Sequence, residues 1–146
     1  MRRDVDILER VQRRATRLIP TLRELPYEER LKRLNLPSLD DRRMRGDMTE
    51  TFKILKGFDQ LDASKFFILR AEVTEREATR GHNLKIFKQR RNTALSRKFF
   101  SHRVVDRWNS LPSFVIEATS INSFKDRYDQ FIERERGEQQ AQIYVQ

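Results

Sequence analysis

Apolar residues in this chain return every three or four positions in stretches cut off by proline or glycine. That spacing restricts it to short helices around a modest core. Ile7, Leu8, Val11, Ala15, Leu18 and Ile19 form the first stripe, predicting a helix over 4–19 with Arg10, Arg13, Arg14 and Arg17 on its other face. Pro20 closes it. Pro26 suits a first helical position, and Tyr27, Leu31 and Leu34 line the helix it opens. Asn35-Leu36-Pro37 breaks that helix, and Ser38 with Asp41 three residues on reads as a capping pair for a third. The third helix carries Leu39, Met44, Met48, Phe52 and Leu55, and Gly57 fits the position just past its end. Gly46 weakens it by about 1 kcal/mol relative to alanine, a cost that close helix packing would explain.

Residues 58–82 are less periodic, and 72–81 read as an exposed loop. From Asn83 the period changes: Leu84, Ile86 and Lys88 alternate with Lys85, Phe87 and Gln89, a strand-like pattern. Residues 93–100 suit either a partner strand or a helix entry. Phe100, Val104, Val105, Trp108 and Leu111 restore helical spacing over 99–110 up to Pro112, and Ser120 caps a last helix bearing Ile121, Phe124, Tyr128, Phe131 and Ile132. The expected fold class is mainly α: four to five helices with a small strand or hairpin near 83–99. The expected organisation is a three-helix subdomain over 1–57, a connector over 58–82, a basic strand/helix subdomain over 83–135 and a frayed tail over 136–146.

Charge narrows the function. Charged residues make up 36% of the 146, the net charge is +9, and ten phenylalanines argue against disorder. Residues 76–108 hold ten Lys and Arg against two acids, so nearly all of the excess lies in this one stretch. An excess so localised is the footprint of a polyanion-binding surface. Arg80, His82, Lys85, Lys88, Arg90, Arg91, Arg97, Lys98, Arg103 and Arg107 are the candidate nucleic-acid contacts, interleaved with Phe87, Phe99, Phe100 and Trp108. The cations neutralise phosphates, and exposed aromatics would stack on unpaired bases. Two acids among ten bases leave most of the cations without an internal partner. Phe100 and Trp108, on a helical stripe, read as core. The arginines of the first helix can pair with Asp6 and Glu9, so a solvated face suits them as well as a phosphate contact.

Other chemistries find little support. The chain has no cysteine, and His82 and His102 stand twenty residues apart, which does not make a metal site. Asp40-Asp41 and Glu28-Glu29 lie on charged faces where nothing would raise a carboxyl pKa, and no glycine-rich phosphate loop occurs. No catalytic residue, cofactor or small-molecule substrate is therefore expected. Residues 26–56 have the rough spacing of a helix-turn-helix, but Asp40 and Asp41 would repel a phosphate backbone, so a plain helical hairpin is expected. The longest apolar run, Phe66-Phe67-Ile68-Leu69, is far short of a membrane span, and no signal-peptide core follows Met1. A nuclear or cytoplasmic location is expected.

A series of ordered strings carries a family resemblance: Leu8-Glu9-Arg10-Val11-Gln12-Arg13-Arg14-Ala15-Thr16, Tyr27-Glu28-Glu29-Arg30-Leu31, Leu36-Pro37-Ser38-Leu39, Arg45-Gly46-Asp47-Met48, Thr79-Arg80-Gly81-His82, Phe99-Phe100-Ser101-His102-Arg103-Val104-Val105, Trp108-Asn109-Ser110-Leu111-Pro112 and Ser123-Phe124-Lys125. Over residues 4–132 the chain resembles the region downstream of the polymerase core in reverse transcriptases of non-LTR retrotransposons, LINE elements of the CR1 and jockey-like type. The resemblance implies RNA-directed DNA polymerase as the parent activity, with the catalytic aspartates and the endonuclease lying upstream and missing from this chain. It further implies a truncated or derived element copy that holds template or target.

Two expectations follow. In the first the chain is a non-catalytic nucleic-acid-binding module whose partner is RNA or an RNA–DNA junction. In the second it is a structural subdomain that packs on the missing polymerase thumb, and bare apolar side chains on helix 4–19 would favour that reading. A remnant with no selected function is the remaining alternative.

Overall fold

In a computed structural model the described residues are 2–73, 81–90 and 99–143, with the backbone alone described at 2–4 and 139–143. The architecture is mainly helical: α1 (Arg2–Arg17), α2 (Tyr27–Leu34), α3 (Leu39–Lys56), α4 (Arg70–Val73), α5 (Phe100–Arg103), α6 (Val105–Ser110), α7 (Ser113–Ile116) and α8 (Ile121–Ile143). Two 3-10 turns, Pro20–Leu22 and Ala63–Lys65, lie in the connections. The chain packs as two units, 1–46 and 47–146, the division falling inside α3.

The helix ends follow local chemistry. At the start of α3, Ser38 Oγ accepts the Asp41 N–H at 3.1 Å and donates to the Asp41 carboxylate at 2.6 Å, a reciprocal cap. Gly57 ends α3 with φ 72°, while the N–H groups of Gly57 and Phe58 close on the carbonyls of Ile54 and Lys53. That is the Schellman geometry, which requires a left-handed residue. Asn35 ends α2 in the same way at φ 51° and ψ 42°. Ser120 Oγ accepts the Ser123 N–H and opens α8, which runs on through Ile143, where a frayed tail is expected from 136.

In the first unit α1 is turned over. Its apolar stripe faces out, with Ile7, Leu8, Val11 and Leu18 55–77% exposed. The inward face is polar instead. Glu9 accepts the Tyr27 hydroxyl with one carboxylate oxygen and the Leu39 N–H, at 3.0 Å, with the other. Gln12 donates to the Pro37 carbonyl at 3.0 Å. Thr16 is buried and accepts from Arg30 Nε at 3.2 Å, while the same guanidinium donates to the carbonyls of Leu25 and Arg13. Arg30, 5% exposed, meets three acceptors, and its charge lies 5.6 Å from the Tyr27 ring centroid. Leu22, Tyr27 and Leu31 complete this small core.

The second unit holds the larger core. Phe52 of α3 stacks on Phe124 of α8 at 4.3 Å, and Trp108 of α6 lies 6.3 Å from the same ring. Met48, Phe52, Val104, Trp108, Val115 and Phe124 are fully buried. Phe100 to Ser110 is a helical run in two parts, α5 and α6, meeting at Val104. Pro112 ends it as expected, and also opens α7, which the pattern misses.

The strand or hairpin near 83–99 is corrected. Among the described residues there is no sheet, and a single antiparallel bridge joins Leu69 to Ile86. Phe87 N–H donates to Ile68 O at 2.8 Å and Arg70 N–H to Lys85 O at 2.7 Å. The other edge of Ile86 is taken by the Asn109 side chain, whose Oδ1 accepts the Ile86 N–H and whose Nδ2 donates to the Ile86 carbonyl, both at 2.8 Å. A side-chain amide stands where a second strand would pair. Residues 91–98, the expected partner, lie outside the described residues.

Close packing does not account for Gly46, since the space beside its Cα is open and its backbone is helical. Gly46→Ala should therefore raise stability by about 1 kcal/mol, or about 3 °C in a thermal melt. A lowered melting temperature would show that the position needs glycine for a reason other than the helix.

Candidate nucleic-acid interface

The basic segment is built around Trp108. Its indole N–H donates to the Leu84 carbonyl at 2.7 Å, and its own carbonyl meets His82 Nε2 at 3.2 Å. These contacts and the Asn109 pair hold 82–87 against α6, with a turn at Asn83 and Leu84 leading to the bridge at Ile86. The alternating residues thus begin in a turn and pair only through the single bridge at Ile86.

His82 is corrected as a candidate contact. It is 3% exposed, set edge-on to Trp108 at 5.8 Å, and cannot reach a phosphate from there. Burial first, and the neighbouring Lys85 charge, hold its pKa below the ordinary 6.5, opposed by the hydrogen bond to Trp108. Its Nδ1 is buried with no hydrogen-bond partner. A proton there would be an unpaired buried charge.

The expectation that most cations lack internal partners is also corrected for three of them. Arg103 forms a two-point pair with Asp47, both contacts 2.7 Å, and lies over the Phe100 ring. That pairing holds the Arg103 guanidinium pKa above its ordinary value. Arg107 pairs with Glu135 through both terminal nitrogens and lies over Phe131. Lys88 pairs with Asp106 at 2.7 Å, but both side chains are about 70% exposed, so the pair contributes about 0–1 kcal/mol and yields readily to another anion. Asp47 and Glu135 stand 56 and 28 residues away in sequence, so a local charge count does not see them.

Arg90 is exposed and makes no ion pair with a described residue. Lys85 is half-buried and engaged, its side chain folded over Gly81, whose φ of 93° needs the missing Cβ. Arg80, Arg91, Arg97 and Lys98 lie outside the described residues. Of the interleaved aromatics, Trp108 is core and Phe87 and Phe100 are half-buried. Phe99, 60% exposed, is the one placed to stack on a base. On α1, Arg10, Arg14 and Arg17 are exposed and form no ion pair with a described residue, while Arg13 covers the Tyr27 ring at 4.8 Å.

Glu9 and Asp41 already occupy the N-terminus of α3, which places carboxylates where a helix-turn-helix would meet phosphate. Among the described residues no group of three His, Asp or Glu gathers to hold a metal ion, and no helix is long and apolar enough to cross a membrane. No protein-family model matches the sequence, and no curated protein or solved structure matches it.

The buried His82 gives a sign to the pH dependence. With its folded pKa below the unfolded 6.5, the unfolded state binds the proton first. Its contribution is whole above pH 6.5 and is lost as pH falls from there toward the folded pKa. Denaturant unfolding should show stability dropping between pH 7.5 and pH 5, with a shallower drop in His82→Gln. Equal slopes in the two proteins would show that His82 is not held neutral.

Proposed function

We propose that the chain is a non-catalytic nucleic-acid-binding module, akin to the C-terminal part of a LINE-type RNA-directed DNA polymerase and derived from such an element. One observation carries this reading: residues 76–108 hold ten Lys and Arg against two acids. Among the described cations of this stretch Lys88, Arg103 and Arg107 are paired and Lys85 is engaged, while Arg90 is exposed with no ion pair to a described residue. Such an excess is relieved by a counter-anion, and a polyanion gains in addition from released counterions. The exposed Phe99 ring, next to Lys98 in sequence, adds a stacking surface. A basic stretch with an exposed aromatic, and among the described residues no helix bearing base-reading side chains, suits RNA or an RNA–DNA junction better than sequence-specific duplex. A nuclear or cytosolic location belongs to this reading.

A second reading is favoured by α1. Its bare apolar stripe is what a subdomain packed against a larger protein, such as the polymerase thumb of the parent family, would leave exposed when alone. The two readings use different surfaces and are compatible.

Binding titrations of the chain with single-stranded RNA, single-stranded DNA and duplex across a salt series test the first reading. Four to six phosphate contacts on a single strand predict a slope of log affinity against log salt of about −3 to −4. Reversing Arg90, Arg91, Arg97 and Lys98 to glutamate should abolish most of the binding while circular dichroism stays unchanged. A flat salt response, or retained affinity in the reversed variant, would remove the assignment.

A further inference from the structure

The turned-over α1 cannot roll its apolar side inward. Doing so would break the contacts of Glu9 with Tyr27 and Leu39, of Gln12 with Pro37 and of Thr16 with Arg30. It would also strip the buried Arg30 of two of its acceptors, Thr16 Oγ1 and the Arg13 carbonyl, leaving charge under-satisfied in the core. The stripe therefore stays outside. At 100° per residue Ile7, Val11, Ala15, Leu18 and Leu8 fall within about 100° of arc, and from Ile7 to Leu18 they span about 17 Å. That is three turns of helix, the footprint of a second helix laid along the first.

The border of the stripe sets the partner's charge. Arg10, Arg14 and Arg17 line one edge and have no ion pair with a described residue. The other edge is occupied by α1's own contacts to Pro37 and Leu39. We infer that the α1 stripe docks an amphipathic helix of another protein, or of another part of a longer chain, whose apolar face is bordered by Asp or Glu. This inference rests on the second reading above.

Charge complementarity selects this occupant over two others. Two copies of α1 paired antiparallel about a two-fold axis would bring their arginine rows side by side, and like charges there repel. An anionic bilayer would meet cations along one border only, with α2 and the α3 start limiting how deep the helix could enter.

The test uses the full chain and a designed 21-residue helical peptide with leucine at heptad positions a and d and glutamate at e and g. The same peptide with lysine at e and g, and vesicles of mixed phosphatidylcholine and phosphatidylserine, complete the set. The glutamate peptide should bind at least about tenfold more tightly than the lysine peptide, and Arg10→Glu/Arg14→Glu/Arg17→Glu should reverse the preference. Leu8→Gln/Val11→Gln should abolish binding of both peptides and leave the melting temperature within about 2 °C. Equal binding of the two peptides, tighter binding to the vesicles, or a dimer in sedimentation that the Leu8→Gln/Val11→Gln variant dissolves would overturn the inference. A fall in melting temperature of more than about 10 °C in that variant would instead show the stripe to be core, and the second reading would fail with it.

Discussion

The contact on which the second unit depends is the grip of Trp108 and Asn109 on residues 82–87. A buried indole in a core typically accounts for about 3–5 kcal/mol when truncated, and this one also spends its N–H on the Leu84 carbonyl. Asn109, next along α6, supplies an acceptor and a donor to one residue, Ile86. Together they replace a sheet. The backbone groups of Ile86 that would otherwise lie unpaired at an edge are satisfied by a side chain, and the bridge to Leu69 satisfies the opposite edge of the segment through Lys85 and Phe87. The segment is thereby fixed without a ladder, and the basic residues follow directly from it.

The same region shows why its charges do not act alike. Arg103 and Arg107 lie on the helices that form the core, within reach of Asp47 on α3 and Glu135 on α8, and they serve to tie those helices together. Lys88 and Arg90 lie just after that segment, at the surface, where pairing is weak and solvent-screened. The first unit uses a different device, a buried arginine answered by carbonyls, a hydroxyl and an aromatic ring, with no carboxylate of a described residue among its contacts.

Much of this was legible in the residues. Ser38 with Asp41, Asn35 before Leu36-Pro37, Gly57 after a periodic run and Ser120 before another each act through contacts a few residues long, so local sequence specifies them. Trp108 as core was legible from its helical stripe. What was not legible depends on distance in the chain. The partners of Arg103 and Arg107 come from other elements, and Asn109 reaches back 23 residues to Ile86. The alternation of Leu84, Ile86 and Lys88 does not say that a turn precedes Ile86 or what fills the edge of its bridge. The stripe on α1 was read correctly as a stripe. Which side packs is not set locally, because Glu9, Gln12 and Thr16 become the packed side only when Tyr27, Arg30 and Pro37 are brought against them.

Native-state hydrogen exchange of the Ile86 amide, in the wild-type chain and in Asn109→Ala, tests the grip on the basic segment most directly. The Ile86 N–H should be protected in the wild type and exchange at least about tenfold faster in the variant, equivalent to about 1.4 kcal/mol, with the Phe52 amide unchanged. Equal protection of Ile86 in the two proteins would contradict the account, since the segment would then be held by something other than Asn109.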